Sequence, residues 1–370
     1  MTVLIPVFIV FFIYALLIMF YSRAWKNNPL FNQPVPPSTM ISVIVPARNE
    51  ELAIGSLLDA LKQQTYPGEL FEVIVIDDHS EDRTAEIVRQ YKDVRLVSLQ
   101  ADAINSFKKK AIETGIAAAT GELIVATDAD CRPNAGWLQT ISAFRNSTGA
   151  VFIAAPVVIE CNSSLLQMFQ AIDFMILQGI TGAVVQTKTL TMCNGANLAY
   201  DRSVFYEVGG FDGIDRIASG DDMLLMHKIW KKYPDRVLYL KSKEAMVSTQ
   251  PQLSWRDFYQ QRLRWASKAG QYDDKRFLPV LLVVYLLNLS FLILAIAGFW
   301  NNEYWMWMIG LWIAKTLVEL PFVHSLATFF NKEWAVRWFL LFQPLHIVYT
   351  IISGLFSQVG KYEWKGRRVK

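Results

Sequence analysis

Residues 3–21, VLIPVFIVFFIYALLIMFY, form a charge-free run of about 19 positions, long enough as a helix to cross the ~30 Å hydrocarbon layer of a bilayer. This is a membrane span, and it commits the chain to lipid from its first residues. It lacks a basic leader, and no small-residue cleavage site follows, so it reads as a retained anchor. Arg23 and Lys26 come next, and by the positive-inside rule the following domain is expected in the cytoplasm. Apolar runs return near the end of the chain at 277–300, 304–330 and 336–356, with Trp and Tyr at several of their ends. Between them the chain is mixed. A hydrophobic content of 53% beside 36 Lys/Arg and 33 Asp/Glu is too apolar for an ordinary soluble protein and too charged for lipid alone.

These runs divide the sequence into an anchor (1–22), a Pro-rich linker (23–39), a cytoplasmic domain (40–272), a C-terminal membrane region of two to four helical segments (273–358) and a basic tail (359–370). The linker, NNPLFNQPVPPST, reads as a stiff spacer lifting the domain off the membrane. Three full C-terminal crossings would put the basic tail, KYEWKGRRVK, outside, whereas its Lys and Arg residues favour the cytoplasm. Lys315, Glu319, Pro321 and His324 mark the middle segment as the one expected to be broken, re-entrant or paired around a polar cavity. The three cysteines, Cys131, Cys161 and Cys193, have no CxxC spacing and read as reduced thiols.

Within 40–272, strand-like and helix-like patterns alternate. MISVIVPARNEE is a buried strand entering a loop, followed by ELAIGSLLDALKQQ with an apolar stripe at Leu52, Leu57, Leu58 and Leu61. FEVIVIDDHSEDRTAEIVRQYK repeats strand, acidic loop and helix; VRLVSL, KKKAIETGIAAAT and ELIVATDAD continue the alternation. The expected fold is α/β, a Rossmann-like doubly wound, mostly parallel sheet with N- and C-terminal transmembrane helices.

Such a sheet sends the carboxyl ends of its strands to one edge, where ligands bind. Three strands end in polar residues: Arg48, Asn49 and Glu50; Asp77 and Asp78; Asp128 and Asp130. Neither a GxGxxG nor a GxxxxGK[ST] loop is present, which argues against dinucleotide and P-loop readings. Gathered acids repel one another unless a hard cation sits among them, and Mg²⁺ or Mn²⁺ bridging carboxylates to a nucleotide diphosphate would remove that penalty.

VIVPARNE, VIDDHSEDRT, TDAD, GANLAY, SGDDMLL and QRLRW, in this order and spacing, resemble glycosyltransferase family 2, the group that includes cellulose and hyaluronan synthases and ceramide glucosyltransferase. The resemblance implies a GT-A-like domain and a metal-dependent, inverting hexosyl transfer. It assigns Asp77 and Asp78 to the base and ribose of a UDP-sugar, with Pro46, Arg48 and Glu50 beside the base. Asp128 and Asp130 correspond to the pair that holds the metal. Lys108 matches the lysine of a Gly-Lys-x-x-Ala stretch, with Phe107 in place of the glycine, and would touch the diphosphate; a run of three lysines is otherwise a solvated face. Asp222 is the candidate base, and Asp221 stands where the family usually has Glu. Gln261 and Arg264 would contact the diphosphate, with Trp265 lining the acceptor end. Asn194 and Asn197 would offer amides to the sugar or acceptor.

Simpler roles stand beside these. Asp78 would suit a helix N-cap near Ser80, and Asp221 or Ser219 could cap the helix after GDD. QRLRW would suit an interfacial helix, with Trp255, Tyr259 and Trp265 at the headgroups. His79 and His227 have no second histidine at metal spacing and read as packed or exposed side chains. SLLQMFQAIDFMILQGITGAVV, with Leu165, Met168, Phe169, Ile172, Met175 and Ile176 on one face, is either core or a membrane-facing helix guiding a lipid acceptor, the preferred reading.

The expected partners are a nucleotide-sugar donor, a lipid or polysaccharide acceptor and a membrane, with no nucleic acid. The expected location is a bacterial inner membrane with the catalytic domain cytoplasmic. Tethering at both ends favours a lipid acceptor such as a polyprenyl phosphate, sphingolipid, diacylglycerol or carotenoid. The alternatives are a processive polysaccharide synthase and an inactive scaffold or sugar-nucleotide sensor. Loss of an acid at Asp128, Asp130 or Asp222 would mark the last of these, and all three are present.

Overall fold

The computed structural model describes residues 4–100, 106–162, 164–215, 217, 220–266, 274–356, 362–364 and 367–369. The chain begins α1 (Leu4–Asn27), β1 (Ile41–Ala47), α2 (Ile54–Lys62), β2 (Phe71–Asp77), α3 (Thr84–Val88), β3 (Val94–Ser98), α4 (Phe107–Ala118) and β4 (Leu123–Ala126). Next come β5 (Cys131–Pro133), α5 (Trp137–Thr148), β6 (Phe152–Ala154), β7 (Val157–Ile159), α6 (Leu165–Gln186), β8 (Leu198–Asp201), α7 (Arg202–Glu207) and α8 (Met223–Lys232). It continues with β9 (Val237–Tyr239), β10 (Val247–Thr249), α9 (Trp255–Ala266), α10 (Phe277–Ala297), α11 (Glu303–Phe329) and α12 (Trp334–Phe356).

Two compact units divide the chain. A helical unit comprises Met1–Asn28, Cys161–Ala183 and Pro251–Tyr362; a sheet unit comprises Pro29–Glu160, Val184–Gln250 and Glu363–Lys370. The helical unit therefore takes two pieces, 161–183 and 251–272, from the expected 40–272 domain.

In the sheet unit, a 7-stranded sheet runs β3-β2-β1-β4-β8-β6-β9. β3, β2, β1 and β4 are mutually parallel, and β8 pairs antiparallel with both β4 and β6. This is the α/β, mostly parallel architecture expected from the alternation. β1 is buried almost throughout because it lies between β2 and β4 with layers on both faces. A Cβ on Gly115 of α4 would fall 2.6 Å from Ile76 and 2.7 Å from Ile44. Only glycine lets α4 lie this close to β1 and β2. α2 turns Leu57, Leu58 and Leu61 inward as predicted, but Ile54 completes the stripe, and Leu52 is exposed ahead of the helix.

The linker is not a free spacer. Phe31 N–H donates to the Lys241 carbonyl at 2.9 Å, and Gln139 Nε2 donates to the Val35 carbonyl at 2.7 Å. Phe31 packs edge-on against Phe144, and Tyr66 Oη both accepts from Thr39 N–H and donates to Thr39 O. The physical reason is that Pro-rich chain, poor in backbone donors, leaves carbonyls that the domain's side chains satisfy.

In the helical unit, α1 runs past residue 22, through Arg23 and Lys26. α11 is one helix with Pro321 inside it, not a broken or re-entrant segment. Its polar residues are paired instead: Lys315 Nζ donates to Glu319 Oε1 at 2.8 Å and to Gln343 Oε1 at 2.6 Å, while Gln343 and Tyr14 donate to Glu319. α6 is buried around most of its circumference, including Gln170, Asp173 and Gln178. The core reading therefore replaces the membrane-facing one. Five helices, α1, α6, α10, α11 and α12, are long and apolar enough to cross a membrane.

Candidate active site at the sheet rim

The parallel register Ala47↔Asp77 and Ile44↔Ala126 brings the ends of β1, β2 and β4 to one rim of the sheet unit. Thr127 N–H donates to Ile44 O, and Asp78 N–H donates to Ala47 O. Alternate residues of β1 thus face alternate neighbours, and Pro46 falls with Ile44 on the β4 side, beyond the last paired residue. A proline is tolerated there because no ladder bond is missing, the β1–β4 pairing having ended at Ile44.

The loops after β1 and β2 interlock. Asn49 N–H donates to Ser80 Oγ at 3.0 Å, and Glu81 N–H donates to Asn49 Oδ1 at 2.9 Å. Arg48 Nη1 donates to the Asp78 and His79 carbonyls at 2.8 and 2.7 Å. Asn49 and His79 both adopt left-handed backbone, φ 51° and 55°, a strained conformation for residues with a Cβ and one that clusters at functional loops. Asp77 and Asp78 are buried; Asp77 Oδ1 accepts from Ser80 N–H at 3.3 Å, and Asp78 Oδ1 lies 3.0 Å from His79 Nδ1. Asp78 does not cap a helix. α3 starts only at Thr84, where Asp82 Oδ1 accepts from Thr84 N–H at 3.0 Å. Glu50 holds its place through its backbone, donating to Thr84 Oγ1 at 2.8 Å.

The three lysines at the start of α4 go three ways, so they are not a solvated face. Lys108 Nζ lies 2.6 Å from Asp128 Oδ1 and 3.4 Å from Asp221 Oδ2. Lys109 is 2% exposed and donates to the carbonyls of Ile214 and Ile217 at 2.6 Å. Lys110 pairs with Glu113 on the surface. Burial alone would lower the Lys108 pKa, but Asp128, Asp221 and Asp222 together hold it above the usual lysine range. It is a fixed cation among acids.

Asp222 caps α8, a role the sequence left to Asp221 or to Ser219, which lies outside the described residues. Its Oδ1 accepts from Met223 N–H at 2.8 Å and its Oδ2 from Gly195 N–H at 3.0 Å. A carboxylate oxygen has two lone pairs, so one amide on each orients the group without excluding a base role. Gly195, which sequence reasoning passed over, is where backbone must come close: a Cβ there would lie 3.3 Å from Lys108 Nζ, 3.4 Å from Asp221 Oδ2 and 3.6 Å from Asp222 Oδ2. Beside it, Asn194 Oδ1 accepts from Ala196 N–H at 2.9 Å.

Asn197 is a correction. It is 0% exposed; its Oδ1 accepts from Trp137 Nε1 at 2.9 Å, and its Nδ2 donates to the Pro156 and Ala245 carbonyls at 2.8 Å each. Its amide builds the wall behind the rim and is not offered to a ligand.

Two buried thiols border the rim. Burial, with the charges of Asp130 and Asp128, pushes the Cys131 pKa well up; burial, with Asp222 and Asp221, does the same for Cys193. Both stay protonated and unreactive. Among the described residues no group of three His, Cys, Asp or Glu forms a metal shell. Asp128 and Asp130 nonetheless fit Mg²⁺ or Mn²⁺ in donor chemistry, since these hard ions are commonly held by one or two carboxylates plus substrate phosphates and water.

Gln261, Arg264 and Trp265 lie on α9, each half-buried, in the helical unit. The residue of QRLRW missed by sequence reasoning is Arg262. It is 2% exposed, lies 2.7 Å from Asp173 Oδ2, and is stacked over the Trp265 and Phe258 rings at 4.2 and 4.9 Å. A basic residue between two motif positions gave no signal of this burial.

Residues 42–209 match the family model described as Glycosyl transferase family 2. Probable glycosyltransferase YdaM of Bacillus subtilis (strain 168) is 26% identical over 265 residues, which cover 70% of this chain and 61% of YdaM. A glucosyl-dolichyl phosphate glucuronosyltransferase of Haloferax volcanii is 23% identical over 269 residues, 67% of this chain and 85% of that protein. The structure of mannosyltransferase PcManGT from Pyrobaculum calidifontis, in complex with GDP-Man and Mn²⁺, shares the fold with a TM-score of 0.60 and 22% identity, over 97% of this chain and 98% of that one. The sheet unit with its acid-lined rim has a GT-A-like fold. The chain thus carries, over residues 42–209, a segment that matches glycosyltransferase family 2.

Proposed function

We propose that this chain is a membrane-bound, inverting glycosyltransferase that moves a sugar from a nucleotide-sugar, a UDP-sugar, to a lipid acceptor at the cytoplasmic face of a membrane. The observation that carries the reading is the convergence of Asp221, Asp222 and Lys108 on Gly195 at the rim, with Asp128 held on the Lys108 ammonium. The relative named for a dolichyl-phosphate-linked substrate and the five apolar helices support a lipid acceptor.

In this reading Asp77, Asp78 and the Pro46–Arg48–Glu50 loop receive the nucleoside. Gln261 and Arg264 contact the diphosphate, Trp265 lines the acceptor end, and Asn194 faces the sugar. Asp128 and Asp130 would hold a divalent ion, which supplies neutralisation of the charge developing on the leaving diphosphate. Asp222, oriented by the amides of Met223 and Gly195, takes the proton of the acceptor hydroxyl as its oxygen bonds to the anomeric carbon and the nucleoside diphosphate departs from the opposite face.

The test incubates the detergent-purified protein with radiolabelled nucleotide-sugars and a bacterial lipid extract. A single labelled product in the organic phase that disappears with EDTA is expected. A ladder of products would favour a processive synthase. No nucleotide release with any donor would favour a sensor, and full turnover in EDTA would remove the metal.

A further inference from the structure

Besides Asp77 and Asp78, the rim carries Asp128, Asp130, Asp221 and Asp222, and a cation, Lys108, is already placed among them. Lys108 Nζ sits 2.6 Å from Asp128 Oδ1 and 3.4 Å from Asp221 Oδ2. Part of the coordinating capacity of Asp128 is therefore committed to an ammonium, and a dication bound to the same carboxylate would lie within a few ångströms of a like charge. Such proximity at a partly buried site is strongly unfavourable. Either the ion or the ammonium must give way.

The chain is built so that the side chain, not the helix, gives way. Lys109, the next residue, is anchored in the interior by two carbonyls of the loop leading to Asp221, at 2.6 Å each. The backbone of this first turn of α4 is thereby held, while Lys108 retains 23% side-chain exposure and the length to swing. Gly195 leaves the space on the far side, because any side chain there would close to 3.3 Å of Nζ.

On the reading of Asp128 and Asp130 as metal ligands, we propose that Lys108 is a resident counter-ion that keeps the acids together before the donor binds. In this role it opposes metal binding to the donor-free enzyme, and the donor's diphosphate draws it off Asp128. The ion and the nucleotide then bind as a pair, and the donor-free rim resists adventitious metal. Lys108 is a positioning residue in this scheme. No covalent step is involved.

The experiment measures Mn²⁺ affinity of the full-length protein in detergent by the free-ion EPR signal, without and then with UDP, for wild type, Lys108→Met and Lys108→Arg. Asp128→Asn serves to locate the ion. The expected result is crossed: Lys108→Met binds Mn²⁺ alone at least tenfold more tightly than wild type, yet binds UDP at saturating Mn²⁺ more weakly. Lys108→Arg, which keeps the charge, stays near wild type in metal affinity. A merely structural role would weaken both affinities in Lys108→Met, and that outcome overturns the proposal. Equal Mn²⁺ affinity in Lys108→Met and wild type overturns it too, as does binding that survives Asp128→Asn. These readouts need neither sugar nor acceptor. Failure of the lipid-acceptor reading would leave them unchanged, whereas failure here would leave sugar transfer to lipid intact.

Discussion

The sheet unit and the helical unit both bury charge, and they do so in opposite ways. In the helical unit, charges are matched one for one: Lys315 with Glu319, and Arg262 with Asp173. Gln343 and Tyr14 complete the first pair, and two aromatic faces enclose the second. At the sheet rim one cation is shared, with Lys108 Nζ at contact distance from both Asp128 and Asp221. Balanced charge serves packing, since a pair can be desolvated only if each member satisfies the other. Acids gathered around a shared ammonium form instead a site that a hard cation can enter.

Replacing charges one at a time separates the two designs. The largest effect is expected from Asp222→Asn, which keeps shape and helix capping but cannot take a proton. kcat should fall by about 10²–10⁴ while UDP affinity holds, as read by nucleotide release beside equilibrium binding. Unchanged turnover would show that the base lies elsewhere.

Arg262→Met in the helical unit should instead cost about 3–5 kcal/mol of stability by stranding Asp173, with most of the loss recovered in the Arg262→Met/Asp173→Leu double variant. Thermal unfolding in detergent checks this. If the single variant melts like wild type, the pair does not hold α9.

A smaller loss, about 1–3 kcal/mol, is expected for Asn197→Ala, which orphans Trp137 Nε1 and two carbonyls. A fall in donor affinity without loss of stability would return Asn197 to the ligand.

The smallest effect concerns Lys241, whose pKa burial lowers to about 8. The unfolded chain holds that proton up to about pH 10.4, so between these values the unfolded state binds more protons and stability should rise with pH. Lys241→Met should flatten that rise in a pH series of melting curves.

Much of the rim was legible in the sequence because its cause is local. Apolar runs that end in Asp77–Asp78 or before Asp128 can only be strands that deliver acids to an edge, and the parallel alternation puts those edges together. What was illegible depends on partners far along the chain. Asn197 sits in a turn-like GANLAY, and nothing nearby shows that Trp137 claims its oxygen. Arg262 carries no local sign of burial, which depends on Asp173 far back in the chain. α6 is apolar on nearly every side, a pattern shared by core and membrane helices; only packing tells them apart. Likewise, Pro residues imply stiffness, but not that Val35 would find a glutamine to bind its carbonyl.

The division of the chain also bears on how the protein is made. The sheet unit is left at Glu160, after β6 and β7 are in place, and regained only at Val184. β8, which joins β4 to β6, thus emerges from the ribosome after the α6 segment. The sheet cannot close until a stretch destined for the helical unit has passed, and that stretch must wait for residues beyond 250 to find its neighbours. Neither half can be excised as a continuous fragment, and assembly of the helical unit and closure of the sheet must interleave during synthesis.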